Sequence, residues 1–101
     1  MRPTGALHLG HLVGALNNWV KLQDDYECFY MVADWHALMS EYASPADIRN
    51  NILECVIDWV SCGLAPKRCV IFVQSDVPAH LELHMVLSCL VPLAWLERCP
   101  T

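Results

Sequence analysis

The chain has 101 residues, 55% of them hydrophobic and 17% charged, with a formal net charge of −5. A composition this apolar predicts a buried core and, in so short a chain, apolar faces that need further chain or a partner to cover them. The six lysines and arginines form no basic stripe that would neutralise nucleic-acid phosphates, so we expect any RNA contact to lie mostly elsewhere.

The first predicted element is an amphipathic helix that follows a Pro-Thr-Gly turn. Between His8 and about Asp24, apolar residues recur at three- and four-residue steps, which places them on one helical face: Leu9, Leu12, Val13, Leu16 and Val20. Residues 28–33 then form a continuous apolar run with aromatic and β-branched members. This run predicts a strand that is covered on both faces of a parallel sheet.

A second helix is predicted after this strand. Ser44 is a suitable N-cap, Pro45 fits the first helical position, and Asp47 places an acid in the first turn. The helical period continues to Gly63, a residue that readily adopts the left-handed conformation that ends a helix. Its apolar positions are Ile48, Ile52, Cys55, Val56, Trp59 and Val60.

The last predicted elements are a second buried strand over residues 69–74 and a third helix. This helix follows Pro78 and ends near Pro92, and its apolar positions are Leu83, Val86, Leu87 and Leu90. Helices and strands therefore alternate, which predicts an α/β fold, a partial Rossmann-like parallel sheet with right-handed helical crossovers. A doubly wound sheet opens with a strand before its first phosphate-binding turn, and this chain begins at the turn. We expect that the first strand is missing and that residues 1–101 are one truncated domain.

The cysteines and most histidines favour a structural interpretation. The six cysteines follow no signal peptide and no Cys-x-x-Cys spacing, which indicates reduced, mostly buried thiols. His80 and His84 have the spacing of two metal ligands on a helix, but no third ligand is placed to complete a site, so we expect a solvated face and no metal. No run reaches the roughly 18 apolar residues of a membrane span, and we expect a soluble, cytoplasmic protein with no membrane partner.

Residues 1–11, MRPTGALHLGH, carry the chemistry of the sequence. Free amides at a helix start attract phosphate, Thr4 adds a hydroxyl donor, and Gly5 and Gly10 let a nucleotide approach the backbone. His8 and His11 are three apart and are expected on one helical face, where two imidazoles donate hydrogen bonds to a leaving pyrophosphate. From the spacing alone, two satisfied surface histidines are the more common arrangement.

The same segment resembles the HIGH signature of the class I aminoacyl-tRNA synthetases, with the Pro-Thr-Gly turn that this family places before it. FYMVADWHAL at 29–38 and residues 71–101 resemble the bacterial tryptophanyl members of the family more closely than the tyrosyl ones, which share the opening motif. The resemblance covers essentially the whole chain. It implies the N-terminal part of the catalytic, Rossmann-like domain.

The resemblance also implies a reaction and a set of site residues. ATP would activate tryptophan to tryptophanyl-adenylate, with Mg²⁺ on the phosphates, and the amino acid would pass to tRNA(Trp) in a parent that is a homodimer. His8 and His11 would be catalytic, and Asp34 and His36 would line the tryptophan pocket, although Asp34 is as readily a residue that fixes its loop. The ATP contacts would be Arg2, Pro3, Thr4, Gly5, His8, Gly10 and His11.

Departures from the family pattern leave other functions open. Arg2 stands where some tryptophanyl enzymes carry Gln, so its contact with ATP would be ionic or absent. The KMSKS loop, the acid that reads the indole N–H and the anticodon-binding domain are outside this sequence, so we expect the chain alone to be inactive or very weak. The alternatives are a tyrosyl-like enzyme, another HxGH nucleotidyltransferase, and a non-catalytic synthetase-like remnant.

Overall fold

A two-stranded parallel sheet organises the computed structural model, which describes residues 1–43 and 45–100. Strand β1 (Cys28–Val32) pairs with strand β2 (Cys69–Val73), with Cys28 opposite Cys69 and Val32 opposite Val73. Two parallel strands need a connection that returns the chain to the same edge, and the helices between them supply it. The predicted α/β fold and both predicted strands are confirmed.

Helices occupy most of the remaining chain. Helix α1 spans residues 9–25 and is α-helical at Leu9–His11, π-helical at Leu12–Leu16 and α-helical again at Asn17–Asp25. The others are α2 (Asp34–Glu41), α3 (Ile48–Ser61, after a 3₁₀ turn at Pro45–Asp47), α4 (Ala79–Leu90, after a 3₁₀ turn at Gln74–Asp76) and α5 (Leu93–Leu96). The three predicted helices correspond to α1, α3 and α4. The predicted N-cap Ser44 lies outside the described residues.

Two helices were not predicted from the sequence. Helix α2 buries Ala37 alone, and Leu38 and Met39 on its length are exposed, so its hydrophobic pattern is weak. Helix α5 is a single turn of four residues. Short helices with little buried surface leave no periodic signal in a sequence, because it is burial of one face that imposes the period.

Gly63 ends α3 in the way the sequence predicts. Its φ is +111°, a conformation that residues with a side chain rarely adopt. The Gly63 N–H donates to Val60 O at 3.0 Å, and the Leu64 N–H donates to Trp59 O at 3.1 Å. These two bonds form a Schellman motif, which satisfies carbonyls at the helix end and turns the chain toward β2.

The core lies between α1, α3 and one face of the sheet. Trp59 is fully buried, and half-buried Trp19 stacks on Tyr30 at 4.8 Å and meets Trp59 edge-on at 5.2 Å between ring centroids. The Tyr30 hydroxyl donates to Trp19 O at 2.7 Å, and burial raises the pKa of Tyr30. Both tryptophans therefore belong to the core, as the helical pattern predicts for Trp59. The other buried members are Leu16, Cys28, Val32, Cys55, Leu64 and Cys69.

A buried glutamine fastens the end of α1 to the turn after α3. Gln23 is 6% exposed, and its amide nitrogen donates to Val20 O at 3.2 Å and to Gly63 O at 3.3 Å. Its amide oxygen accepts from the Ala65 N–H at 2.7 Å. Arg68 adds an exposed ion pair with Asp24. The buried amide is thus satisfied on both sides, which lets a polar side chain stay in the interior.

Some apolar surfaces are open in the part of the chain that the structure describes. Phe29 on β1 is 61% exposed and its partner Val70 on β2 is 45% exposed, so the expectation that both strands are buried is wrong for the sheet face that these two residues share. The four predicted apolar positions of α4 (Leu83, Val86, Leu87 and Leu90) are exposed. The composition had predicted such uncovered faces. Among the described residues, no helix is both long and apolar enough to cross a membrane.

The six cysteines are free thiols in the described structure, as expected. Cys28, Cys55 and Cys69 are buried, but Cys62, Cys89 and Cys99 are exposed, so the expectation of mostly buried thiols holds for half of them. Burial raises the pKa of Cys55 to about 11 and also raises the pKa of Cys69. The buried thiols therefore behave as small apolar side chains.

Candidate functional site

The Pro-Thr-Gly turn forms the entrance to α1. Pro3 is fully buried and anchors the turn, whereas Arg2 and Thr4 are exposed. Gly5 has a φ of +142°, and no other atom lies within 4 Å of where its Cβ would be. Gly5 is therefore required by its backbone conformation, and the space above it stays open for a ligand.

His8 occupies the N-cap of α1, one residue before the helix begins. Its backbone is extended, with φ −129° and ψ 172°, so the expectation that both histidines lie on the helix is wrong for His8. The Gly10 N–H donates to His8 Nδ1 at 3.1 Å, and the His8 N–H donates to His11 Nδ1 at 3.2 Å. The pair thus forms a reciprocal capping box, and the two ring centroids are only 4.0 Å apart.

The capping bonds decide which ring nitrogen carries the proton. A nitrogen that accepts a hydrogen bond from a backbone N–H must be unprotonated, so neutral His8 and neutral His11 carry their protons on Nε2. Both rings therefore keep an N–H donor that the cap does not use. Two adjacent donors at a helix N-terminus suit an anion with several oxygens.

Gly10 is required by the position of the His8 ring. A Cβ on Gly10 would lie 2.9 Å from Cε1 and 3.0 Å from Nδ1 of that ring, which is closer than carbon atoms pack. Gly14, further along the same helix, would meet nothing within 4 Å. The sequence had indicated that Gly10 admits a nucleotide to the backbone, and the structure adds that it admits the capping imidazole.

A groove of about 270 Å³ adjoins the His8 ring. Apolar side chains of α1 form one wall, and half-buried Asp58 and exposed Cys62 at the end of α3 form the other. Asp58 is a polar group at this site that the sequence did not reveal. It occurs within a helical pattern, where an acid is typical of a solvated face.

Asp34 lies where β1 ends and joins the two strand ends. Its Oδ1 accepts hydrogen bonds from the Trp35 N–H at 3.0 Å and from the Ser75 N–H at 3.1 Å. The second bond crosses from the end of β1 to the turn that follows β2. These bonds support the interpretation of Asp34 as a residue that fixes its loop.

His36 borders a second cleft, of about 380 Å³, between α2 and α4. Its Nδ1 lies 2.9 Å from the Oε1 of Gln74, a side chain that is 3% exposed. His80 and His84 are exposed, as expected, but they also line this cleft, and His80 stacks on Phe72 with ring centroids 6.0 Å apart. Within residues 1–43 and 45–100, no three His, Cys, Asp or Glu side chains are placed to hold a metal ion.

Gln74 is a second site residue, after Asp58, that the sequence did not reveal. It directly follows β2, as Ala33 and Asp34 follow β1, and the carboxyl ends of parallel strands meet at one edge of a sheet. The position of Gln74 at the carboxyl end of β2 was the sequence signal that could have identified it as a site residue. The apolar pattern instead predicts Gln74 as the last residue of the strand itself.

The model of the tRNA synthetases class I (W and Y) family matches residues 1–101. The chain belongs to this family. Tryptophan–tRNA ligases are similar over its whole length: the proteins of Ralstonia nicotianae, Thermotoga maritima and Aquifex aeolicus are 55%, 52% and 50% identical. The chain spans between a quarter and a third of these relatives, namely 25%, 31% and 26% of their lengths.

Solved structures of the family have the same fold. Tryptophanyl-tRNA synthetase from Campylobacter jejuni superposes with a TM-score of 0.85 at 32% identity, over 98% of this chain and 31% of that one. The same enzyme complexed with ADP and tryptophan gives a TM-score of 0.86 at 33% identity, over 97% and 30%. The Rossmann-like class I fold predicted from the sequence is confirmed for this synthetase chain.

Proposed function

We propose that this chain is the N-terminal, ATP-binding part of the catalytic domain of a tryptophan–tRNA ligase. The parent reaction is ATP-dependent activation of tryptophan to tryptophanyl-adenylate, followed by transfer to tRNA(Trp). The observation that carries the proposal is the reciprocal cap of His8 and His11, which leaves two adjacent Nε2–H donors at a helix N-terminus. The relatives named tryptophan–tRNA ligase support the choice of amino acid.

The chemistry assigned to this end of α1 is binding and charge stabilisation. The tryptophan carboxylate attacks the α-phosphorus of ATP, a new O–P bond forms, and the bond to the departing pyrophosphate breaks. Negative charge then grows on the pyrophosphate oxygens, and the two Nε2–H groups donate hydrogen bonds to them. Neither imidazole has to transfer a proton in this step. The capping bonds leave the proton of each neutral ring on Nε2, where it can be donated in a hydrogen bond.

The turn completes this nucleotide site. We assign ATP contacts to the exposed Arg2 and Thr4 and to the backbone at Pro3 and Gly5, which stays open on its ligand side. Gly10 contributes by admitting the His8 ring. If Arg2 contacts ATP, we assign it an ionic contact with phosphate, which a Gln at this position could not make.

The cleft between α2 and α4 is assigned to the amino acid. His36 lines it together with the aromatic and apolar side chains of Trp35, Leu38 and Met39, which suits a flat indole ring. We propose that Asp34 holds the loop beside this cleft and does not contact the amino acid, since its carboxylate already accepts hydrogen bonds from two backbone N–H groups. The observation that supports this assignment is the His36–Gln74 bond at the wall of an apolar cleft.

Four further properties of the parent are proposals of the same kind. Mg²⁺ would accompany the ATP phosphates, as the family resemblance implies, and would offset part of their negative charge. The tRNA is held mostly outside these residues, since the net charge of −5 disfavours phosphate binding. The exposed apolar face of α4 fits a homodimer, and a translation enzyme of this kind is expected in the cytoplasm.

A chimera tests the proposal directly. Residues 1–101 would replace the corresponding segment of the Thermotoga maritima tryptophan–tRNA ligase, to which they are 52% identical. Tryptophan-dependent exchange of pyrophosphate into ATP is the expected result, and replacing both His8 and His11 by Ala should lower its rate by about a hundredfold or more. His11→Asn should retain most of the rate, because its amide supplies both an acceptor for the His8 N–H and a donor. Lys21→Ala, on the exposed side of the same helix, is the matched control.

Each competing function predicts a different result from the same assay. With the full-length parent of this chain, exchange that depends on tyrosine would indicate a tyrosyl-like enzyme, and exchange without any amino acid would indicate another nucleotidyltransferase. A full rate in the double alanine variant would indicate a non-catalytic remnant of the family. For the 101-residue chain alone, we expect weak ATP binding at most and no measurable preference for tryptophan over tyrosine by calorimetry.

A further inference from the structure

Gln74 is a buried polar side chain without a part in the reaction described so far. It is 3% exposed, and its amide oxygen faces a histidine on a different element, 38 residues away in sequence. A buried amide is costly unless it is hydrogen-bonded, so its position has to be explained by the bond it makes. That bond goes to His36, at the wall of the cleft assigned to the amino acid.

The bond between the two side chains sets the tautomer of His36. An amide oxygen can only accept, so the ring nitrogen 2.9 Å from it must be the donor. The proton of neutral His36 is then on Nδ1, and Nε2 is left as an acceptor. This is the reverse of His8 and His11, whose Nδ1 atoms accept from backbone amides.

We propose that Gln74 is a positioning residue that holds His36 in its Nδ1–H tautomer, so that the cleft offers the ligand a nitrogen acceptor. The group that this acceptor takes is an N–H donor. In tryptophan the α-ammonium group is such a donor, and the indole N–H is a second one, which the family resemblance assigns to an acid outside this sequence. The identity of the ligand rests on the proposed function, whereas the tautomer does not.

The tautomer is measured on the 101-residue chain by ¹⁵N NMR of labelled histidine, since protonated and unprotonated ring nitrogens have well-separated shifts. His36 should show the Nδ1–H pattern, and His8 and His11 the Nε2–H pattern. His80, whose Nδ1 lies 3.1 Å from the carbonyl oxygen of Val77, is an internal reference for the Nδ1–H form. Gln74→Met, of similar size but without the amide oxygen, should change the pattern of His36 and leave those of His8, His11 and His80 as they were.

The same spectra contain the result that overturns the proposal. An Nε2–H pattern at His36 in the unaltered chain would mean that the glutamine amide is turned the other way and donates. An Nδ1–H pattern that persists in Gln74→Met would mean that another group sets the tautomer. An unchanged Nδ1–H pattern at His80 shows that the Gln74→Met variant is folded.

The ligand is tested in the chimera described above. Gln74→Met should raise KM for tryptophan by about three- to tenfold, the worth of one neutral hydrogen bond, with KM for ATP unchanged. A general loss of packing would instead move both constants, and that result would refute a positioning role. A chimera inactive in every form would count against the proposed function, while the spectra would still decide the tautomer.

Two analogues distinguish the donor. Indole-3-propionate lacks the ammonium group, and 3-benzothienylalanine replaces the indole N–H by sulfur in a ring of the same shape. The analogue that lacks the donor bound by His36 should inhibit unaltered and Gln74→Met chimeras equally, while the other loses about three- to tenfold in the variant. Equal weakening of both analogues would overturn the assignment of a single N–H donor.

Discussion

Replacement of Gly10 by alanine separates the effect of the capping imidazole from ordinary helix stability. The new Cβ would lie 2.9 Å from Cε1 of His8, whereas carbon atoms pack at about 3.5–4.0 Å. The ring must therefore move by roughly 0.5–1 Å. The bond from the Gly10 N–H to His8 Nδ1 is already 3.1 Å, so a displacement of this size breaks it.

Two opposing energies then nearly cancel. Alanine in a helix is favoured over glycine by up to about 1 kcal/mol, and loss of a side-chain N-cap costs about 1 kcal/mol. We expect Gly10→Ala to leave the free energy of unfolding almost unchanged. Gly14→Ala gains the same helix propensity and loses no capping bond, because no atom lies within 4 Å of the new Cβ. It should therefore raise the free energy of unfolding by up to about 1 kcal/mol.

Urea unfolding of the two variants measures this difference, and histidine ¹⁵N shifts show whether His8 has left its Nε2–H form. In the chimera, Gly10→Ala should slow pyrophosphate exchange by at least tenfold, and Gly14→Ala should not. The reasoning would be refuted if Gly10→Ala stabilised the chain as much as Gly14→Ala while the His8 tautomer stayed the same.

Three further predictions concern stability. Gln23→Met removes the acceptor of the Ala65 N–H and the donor to Gly63 O, and should lower the free energy of unfolding in urea by about 2 kcal/mol; an unchanged midpoint would contradict the fastening role of this amide. Gly63→Ala has room for its methyl group but not a suitable φ, so it should cost about 1–2 kcal/mol in the same assay, against the gain at Gly14. Because burial raises the pKa of Cys55 to about 11, the folded chain holds a proton that the unfolded chain loses near pH 9. Stability should therefore be full below about pH 9 and fall as pH rises through 11, and iodoacetamide at pH 8 should label the three exposed cysteines before the buried ones.

The larger elements could be predicted because burial imposes a period on them. Leu16 in α1 and Trp59 in α3 lie in one core, and the apolar residues within each of these helices repeat at helical spacing. Helix α2 could not be predicted, because Ala37 alone among its residues is buried. The two apolar runs marked the strands, but the exposure of Phe29 depends on which elements cover the sheet, and a strand's own residues do not determine that.

For the candidate site, the sequence indicated candidate residues but neither their arrangement nor the presence of Asp58 and Gln74. The spacing of His8 and His11 indicated neighbouring rings, and they are neighbours. That His8 caps the helix depends on an extended backbone at a single residue, which leaves no mark on the pattern of side chains. The partnership of His36 with Gln74 joins the ends of two separate strands, so it follows from the pairing of β1 with β2 and not from either segment alone.

Helix α1 carries the histidine pair at one end and the Gln23 amide at the other. At 1.5 Å of rise per residue, the cap and the amide are separated by roughly 20 Å. A rigid rod pivots about its fixed point, so a small tilt at Gln23 becomes a larger sideways displacement of the imidazoles. The direction of the two Nε2–H groups therefore depends partly on the hydrogen bonds of Gln23, at the opposite end of the helix. Loss of those bonds would make the direction of the two groups less defined without changing either imidazole.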